Sequence, residues 1–218
     1  MNRRFLIRCG LLLTAWLMAT AMGPCGFFKP TEPERGGSGK PIPTDFSTPT
    51  AALATLALGM QDKSGNGQNV YLSALAESTE ASSGDGRGFH AFFDIRDMIE
   101  VPPHDPDWTR DLEPSVYNLL VQRYSLPFEM TWEPYEPAGN ETGTVDDSLL
   151  HRKYRIVAVS SVGNSVTRTT IAVGAADLSF VKSQRDLGKW VIATWQDFRA
   201  VGSDSALVTL GHRRLESR

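Results

Sequence analysis

The sequence predicts an α+β domain in which N-terminal helices pack on a curved antiparallel β-sheet. Ahead of residue 124 the longer apolar stretches repeat mainly at helical spacing, as on one face of an amphipathic helix. From Phe128 onward the period changes to two, which is typical of strands. Gly163-Asn164 lies between two such runs and predicts a tight hairpin. Helices followed by hairpin-joined strands favour an α+β layer arrangement.

Three helices are predicted ahead of the long strands. The first follows Thr48-Pro49, a capping residue and a first-turn proline. Its apolar side chains, among them Leu53 and Leu56, share one face. The predicted helices are residues 49–60, Gln68 to Glu77, and a third that begins near Glu113-Pro114.

The strands are placed by alternation and by β-forming residues. Gly174 predicts a bulge or bend within one of them. Three prolines make the stretch from Met98 to Asp107 a loop, and Ser82 to Gly88 is a glycine-rich loop. The predicted strands are Phe89 to Ile95, Phe128 to Pro134, Tyr154 to Val159, Thr167 to Lys182, Trp190 to Trp195, and a short one within Leu207 to Leu210.

The first residues resemble a bacterial export signal that ends at a lipidated cysteine. Arg3, Arg4 and Arg8 precede an uncharged run of about 14 residues, as in a signal peptide. This run is short for a membrane-spanning helix, which needs roughly 20 residues. The run is followed by Met22-Gly23-Pro24-Cys25, which resembles the lipobox of bacterial lipoproteins, with Pro24 as a departure from that pattern. Cleavage by an ordinary signal peptidase near residues 19–21 would instead leave Cys25 as a free thiol.

These observations predict the organisation of the chain and its location. The proline- and glycine-rich stretch after Cys25 is typical of an extended spacer. The predicted segments are a signal peptide (residues 1–24), the lipidated cysteine and linker (25–46), the α+β domain (47–200) and a C-terminal tail (201–218). The lipoprotein resemblance implies a lipid anchor to a membrane of the cell envelope, and Gly26 implies the outer membrane, facing the periplasm.

Composition excludes several functional classes. After removal of the three signal arginines the chain has 19 basic and 25 acidic residues, so it lacks the basic surface that nucleic acid requires. Both cysteines belong to the export segment, which excludes disulfide frameworks and cysteine–zinc sites in the domain.

The element order resembles the nuclear transport factor 2-like fold, the cone shared with ketosteroid isomerases, polyketide cyclases and cystatin-like proteins. The closing run Gly188-Lys189-Trp190-Val191-Ile192 also resembles the last strand of that superfamily. The resemblance covers residues 47–200 and implies a pocket at the open end of the cone. It implies no single activity, because the fold carries enzymes, binders and scaffolds.

An isomerase of this type needs a carboxylate base and a hydrogen-bond donor in a dry pocket. Three aspartates lie in apolar stretches, and each could alternatively cap a turn or form a salt bridge: Asp94, Asp177 and Asp197. Tyr117, on the third helix, is the candidate donor. The first predicted helix has no tyrosine where the family's catalytic one lies, which counts against an isomerase.

Aromatic side chains of the predicted sheet could line an apolar ligand pocket. They could equally form ordinary core or a dimer interface. The candidates are Phe128, Trp132, Phe180, Trp190 and Trp195.

We expect neither a resident metal nor a cofactor. The four histidines are far apart in sequence, so no single element supplies a pair of histidine ligands. His104 and its acidic neighbours could hold a divalent ion only with outside ligands. Asn140-Glu141-Thr142 is a formal glycosylation sequon to which we assign no role.

Three functions stay open on the sequence. The leading one is a non-catalytic envelope lipoprotein that binds a small apolar ligand or a protein partner. The second is an isomerase- or cyclase-type enzyme that uses a pocket aspartate. The third is a structural role, in which the sheet face mediates assembly, for example as a homodimer.

Overall fold

The computed structural model describes residues 41–77, 88–103, 107–124, 126–135, 142–144, 146–183, 185–199 and 207–218. The predicted export signal, Cys25, most of the linker, His104, Asn140 and Glu141 lie outside them, as does most of the glycine-rich loop 82–88. No helix among the described residues is both long enough and apolar enough to cross a membrane.

The helices begin at recognisable caps. Thr48 Oγ1 accepts a hydrogen bond from the Ala51 amide at 3.1 Å, and Pro49 occupies the first turn. The α-helices of the described residues are α1 (Pro49–Gln61), α2 (Gly67–Ser73), α3 (Ile95–Glu100), α4 (Glu113–Arg123) and α5 (Leu210–Glu216).

The strands form one mainly antiparallel sheet in the order β2-β1-β7-β6-β5-β3, with β4 paired to β5. Only the short β1 runs parallel to its neighbour β7. The long β5–β6 hairpin turns at Gly163-Asn164, where Gly163 has φ +58°. The strands are β1 (His90–Phe92), β2 (Trp108–Thr109), β3 (Phe128–Pro134), β4 (Thr142–Gly143), β5 (Asp147–Val162), β6 (Ser165–Lys182) and β7 (Trp190–Phe198).

The sheet has two unlike faces. On the face that we call the helix face, Ile156, Leu178 and Trp195 form one buried core with Leu53 and Leu56 of α1. The opposite face, called here the open face, carries alternate residues such as Ser179 and Thr194, which are only partly buried. This period-two alternation places the apolar side chains under the helices and the polar ones on the other side.

The α+β prediction is confirmed, because N-terminal helices pack on a curved antiparallel sheet. The Gly163-Asn164 hairpin is also confirmed. Gly174 is not at a bulge: the register of β5 and β6 shifts instead between Ile156 and Val157.

Several element predictions are wrong in their extent or type. The strand predicted over Phe89 to Ile95 covers His90–Phe92, and Ile95 begins helix α3. The stretch predicted as the loop Met98 to Asp107 begins inside helix α3, and the residues around Leu210 start helix α5 rather than a strand. The second helix ends at Ser73 instead of Glu77, because Ala74 and Ala76 form backbone hydrogen bonds with Ile192.

The end of the predicted linker belongs to the domain. Asp45 exchanges two hydrogen bonds with Thr55 of α1, at 2.9 and 2.7 Å. The carbonyl of Phe46 accepts a hydrogen bond from the Trp190 amide at 2.8 Å, and Lys189 lies over the Phe46 ring. The packed domain therefore includes these two residues as well.

Candidate functional site

A cleft of about 680 Å³ lies on the open face of the sheet. Its floor is a row of cross-strand neighbours that runs over four strands, in the order Leu149, Ser179, Thr194 and His90. The β4 hairpin forms one wall, and Phe92 and Asp107 line the other side. The floor of the cleft is therefore built from four paired strands, with a register shift between β6 and β7 at Ser179 and Phe180.

The described lining of this cleft mixes acidic, hydroxyl-bearing and apolar side chains. It carries two carboxylates, Asp107 and Asp147, and no lysine or arginine. His90 Nδ1 lies 3.0 Å from Asp107 Oδ1, and the His90 side chain is almost buried. Hydroxyl groups come from Ser148, Ser179 and Thr194, whereas Phe92 is 52% exposed and offers an apolar ring. Such a surface suits a ligand with hydrogen-bond donors and one apolar side, and it disfavours an anion.

A second polar row lies beside the cleft floor on the same face. Asp177, one of the predicted site residues, lies opposite His151 on β5 and Gln196 on β7. His151 Nδ1 is 2.5 Å from Asp177 Oδ1. Neither side chain is among the residues that line the cleft. The pair orients His151 from one side.

On the helix face the interior contains a buried polar network centred on Arg214 of α5. The Arg214 side chain is fully buried, and its Nε donates to Glu113 Oε1 at 2.8 Å. Tyr71 and Trp108 also donate to the Glu113 carboxylate. The guanidinium lies 4.6 Å from the centre of the Trp195 ring, a favourable cation–π contact. Helix α5 thus inserts a cation into the packed interior of the helix face.

Asp197, the third predicted aspartate, is part of the same interior. Tyr154 donates to Asp197 Oδ1 at 2.6 Å, and the Gly211 amide donates to Oδ2 at 2.6 Å. Burial raises the pKa of Asp197 to about 7, although Arg214, Tyr154 and the Gly211 amide act in the opposite direction. Burial, followed by the charge of Asp197, raises the pKa of Tyr154 well above its usual value.

Asp94 is the N-cap of helix α3. Its Oδ1 accepts from the Arg96 amide at 2.8 Å, and its Oδ2 accepts from the Arg199 amide at 2.9 Å. Both carboxylate oxygens therefore satisfy backbone donors, as is typical of a cap. The capping alternative fits these contacts, since they leave each oxygen aimed at the backbone.

Tyr117 lies on α4, as predicted, and packs against Tyr71 with ring centres 6.1 Å apart. Burial, followed by the charge of Asp62, raises its pKa. It is not among the residues that line the open-face cleft. The structure thus does not bring Tyr117 together with Asp94 or Asp177 in one described pocket.

The predicted aromatic set belongs mainly to the core. Phe128, Phe180 and Trp195 are completely buried, and the Trp132 ring packs in a tilted arrangement with its centre 5.5 Å from that of Trp195. Trp190 is 8% exposed, and only Phe180 also lines the open-face cleft. These rings fill the helix face together with Tyr154.

One group of possible metal ligands was not expected from the sequence. Asp97 and Glu100 of α3 and His212 of α5 place one ligand atom each within 4.8 Å of one another. The three-residue spacing of the two acids was a usable signal, but the prolines that follow made this stretch a predicted loop. His212 lies more than 100 positions further along the chain, so no local sequence pattern connects it with the two acids.

Comparisons with known proteins give structural neighbours only. No family model matches the chain, and no curated protein matches its sequence. A Mycobacterium tuberculosis protein of unknown function is 11% identical, with a TM-score of 0.47 over 77% of this chain and 85% of that one. An NTF2-like protein with a cystatin-like fold from Novosphingobium aromaticivorans is 10% identical, with a TM-score of 0.44 over 71% and 80%. An NTF2-like superfamily protein from Salmonella enterica serovar Typhimurium is 9% identical, with a TM-score of 0.42 over 72% and 92%. These similarities carry no function over to this chain.

Proposed function

We propose that the chain is an exported lipoprotein whose α+β domain binds a small ligand in the open-face cleft without transforming it. The observation that carries the proposal is the cleft itself, a recess of about 680 Å³ on a floor of four paired strands. Its floor residues Ser179 and Thr194 lie on the face away from the helices, and Phe180, Val181 and Ala193 of its lining also belong to the core. The lipobox-like run that ends at Cys25 supports export and anchoring.

The lining of the cleft specifies the class of ligand. Asp107 and Asp147 accept hydrogen bonds and repel anions, while the hydroxyl groups on the floor can either donate or accept. Phe92 and Leu149 offer apolar contact at the edge of the same recess. We therefore expect a neutral or cationic small molecule that carries hydroxyl or amino groups and one apolar side.

Native mass spectrometry of the full chain, purified from its own host, tests this function. We expect a mass excess that disappears on denaturation. Ser179→Trp fills the cleft floor and should abolish the excess. Val166→Trp is the matched control, because it lies on the same strand but roughly 40 Å further along, at a position that is 61% exposed.

Each other outcome argues against ligand binding in the cleft. A wild-type protein without a mass excess contradicts it, and so does an excess that Ser179→Trp retains while its circular dichroism is unchanged. A dimer without ligand would favour the assembly role through the sheet face.

An isomerase- or cyclase-type reaction is the second candidate, and Asp197 favours it. Asp197 is a carboxylate with a pKa of about 7 that accepts a hydrogen bond from Tyr154, and such groups are common in active sites. Asp197 is 1% exposed, however, so a substrate could reach it only if α5 moved. Exchange of deuterium next to the carbonyl of apolar ketones in D₂O would reveal such a reaction, and Asp197→Asn should abolish it. Equal exchange rates in the two proteins would eliminate this candidate.

A further inference from the structure

Side chains from two helices converge at one edge of the domain. Asp97 and Glu100 lie on successive turns of α3, and His212 reaches them from α5. His212 Nδ1 lies 3.5 Å from Glu100 Oε2 and 3.7 Å from Asp97 Oδ1. Asp97 is completely buried, and His212 is 8% exposed. Two carboxylates and an imidazole nitrogen thus face a common point.

His212 Nδ1 is the unexplained atom of this group. It is buried and has no hydrogen-bond partner among the described residues, since the two carboxylate oxygens lie beyond hydrogen-bond distance. The other ring nitrogen, Nε2, lies 3.7 Å from Glu216 Oε1. Nδ1 thus lies between two carboxylate groups without a hydrogen bond to either of them. A metal ion bound at their common point would give Nδ1 the partner that it lacks.

We propose that Asp97, Glu100 and His212 bind a divalent transition-metal ion, with Zn²⁺ the best match. Ligands at 2.0–2.2 Å from a tetrahedral ion lie roughly 3.3–3.6 Å from one another. His212 Nδ1 lies 3.5 and 3.7 Å from the two carboxylate oxygens, and the three ligand atoms lie within 4.8 Å of one another. An imidazole nitrogen beside carboxylates favours Zn²⁺ or a neighbouring transition metal over Mg²⁺ or Ca²⁺. The site lies outside the open-face cleft and does not depend on its ligand.

The surrounding groups fit the role of outer-shell support. Thr209 Oγ1 donates to Asp97 Oδ2 at 2.5 Å and fixes the rotation of that carboxylate. Glu216 faces the distal nitrogen of His212, as is usual for histidine ligands. Arg199 donates to Glu100 Oε2 and makes two hydrogen bonds to Asp97 Oδ1. In the proposed site the ion replaces one of the two hydrogen bonds from Arg199 to Asp97 Oδ1. The ion and Arg199 together then neutralise the two carboxylates.

Titration of the untagged full chain with metal tests the site. The protein is treated with EDTA, freed of the chelator, and titrated with ZnCl₂ by calorimetry and with CoCl₂ by visible absorption. We expect one ion per chain and visible Co²⁺ bands typical of nitrogen and oxygen ligands. Glu100→Gln and His212→Gln should each weaken binding at least tenfold. His151→Gln is the control, a buried histidine outside this cluster, and it should bind as the wild type does.

Several results would overturn the proposal. One is a wild-type chain that binds no Zn²⁺ at about 100 µM. Another is equal affinity in Glu100→Gln and the wild type, which tests the site even if His212→Gln fails to fold. A third is binding that appears only in Arg199→Ala, because the guanidinium would then be the cation of this cluster. MgCl₂ that binds as tightly as ZnCl₂ would contradict the imidazole ligand.

Discussion

The carboxyl group of Asp197 links the protonation state of the interior to the stability of the fold. Its pKa of about 7 lies well above the ordinary value of 3.8, chiefly because the group is buried. The folded state therefore binds a proton more tightly than the unfolded state does. The resulting stabilisation is complete below about pH 3.8 and is lost as the pH rises through about 7.

Replacing Asp197 with Asn tests this linkage. The amide resembles the neutral carboxyl group and does not titrate, so the advantage of the wild type over the variant should shrink by roughly 2–4 kcal/mol between about pH 4 and pH 8. Urea unfolding followed by tryptophan fluorescence at each pH measures the difference. A difference in unfolding free energy that stays constant with pH would mean that Asp197 is already ionised in the folded protein at low pH.

Arg214 should be among the side chains most costly to replace. Arg214→Met leaves the fully buried Glu113 carboxylate without its cation, a change that typically costs about 3–5 kcal/mol of unfolding free energy. Arg168→Met is the control, because Arg168 is 63% exposed in its pair with Glu129 and should cost about 0–1 kcal/mol.

A second substitution separates the ion pair from simple packing. Adding Glu113→Gln to Arg214→Met removes the uncompensated charge and should recover part of the lost stability. Additive losses in urea unfolding would show that the two side chains act independently.

Sequence reasoning predicted part of this residue-level chemistry. Asp197 was one of the three candidate aspartates and lies two residues beyond the predicted strand Trp190 to Trp195, whereas the structure has it at the penultimate residue of β7. Nothing in the sequence predicted that Arg214 is buried, because an arginine in a polar C-terminal segment is normally solvated. Its burial depends on α5 folding back onto Glu113 of α4, which is a tertiary contact between residues 101 positions apart.

At the scale of elements, the approach of β5 to β6 depends on Gly174. A Cβ atom there would lie 2.5 Å from Tyr154 Oη and 3.0 Å from the carbonyl oxygen of Phe198. Gly174 lies opposite Tyr154 in the register of the two strands. The missing side chain is what allows Tyr154 to reach Asp197 and the Leu210 amide, which donates to Tyr154 Oη at 2.8 Å.

Gly174→Ala should therefore destabilise the domain by about 1–3 kcal/mol, the usual cost of overpacking. Gly143→Ala is the matched control in the same sheet, since its added Cβ would meet nothing closer than 3.9 Å. Thermal unfolding of the two variants checks the comparison. Equal melting temperatures would show that Tyr154 can shift without loss.

The elements themselves were predictable where local patterns are strong. Alternation placed the long strands, and Gly163-Asn164 placed their hairpin. Helices α3 and α5 were missed because they have only six and seven residues. So few residues show little helical periodicity, and the prolines after α3 favoured a loop there. Their missed helical geometry is also why Asp97, Glu100 and His212 could not be grouped from the sequence.

At the scale of the whole chain, the domain separates a filled interior from an open cleft. The aromatic pocket candidates were correctly identified as sheet residues, but most of them pack on the helix face with Arg214. The binding function proposed above uses the other face, where Ser179, Thr194 and His90 become neighbours only when the strands align. Strand order of this kind is set by tertiary pairing, and the sequence alone does not specify which polar residues become neighbours.

The proposed lipid anchor concerns the whole chain, and it can be tested apart from the cleft. If Cys25 carries the acyl chains, Cys25→Ala should lose labelling by an alkynyl fatty acid and leave the membrane fraction, because attachment requires two or more buried chains. Cys9→Ala is the control within the same export segment, and it should keep both the fatty-acid label and its place in the membrane fraction. Equal labelling of the two variants would place the lipid elsewhere, while an unlabelled wild type that is still exported would favour ordinary cleavage and a free thiol at Cys25.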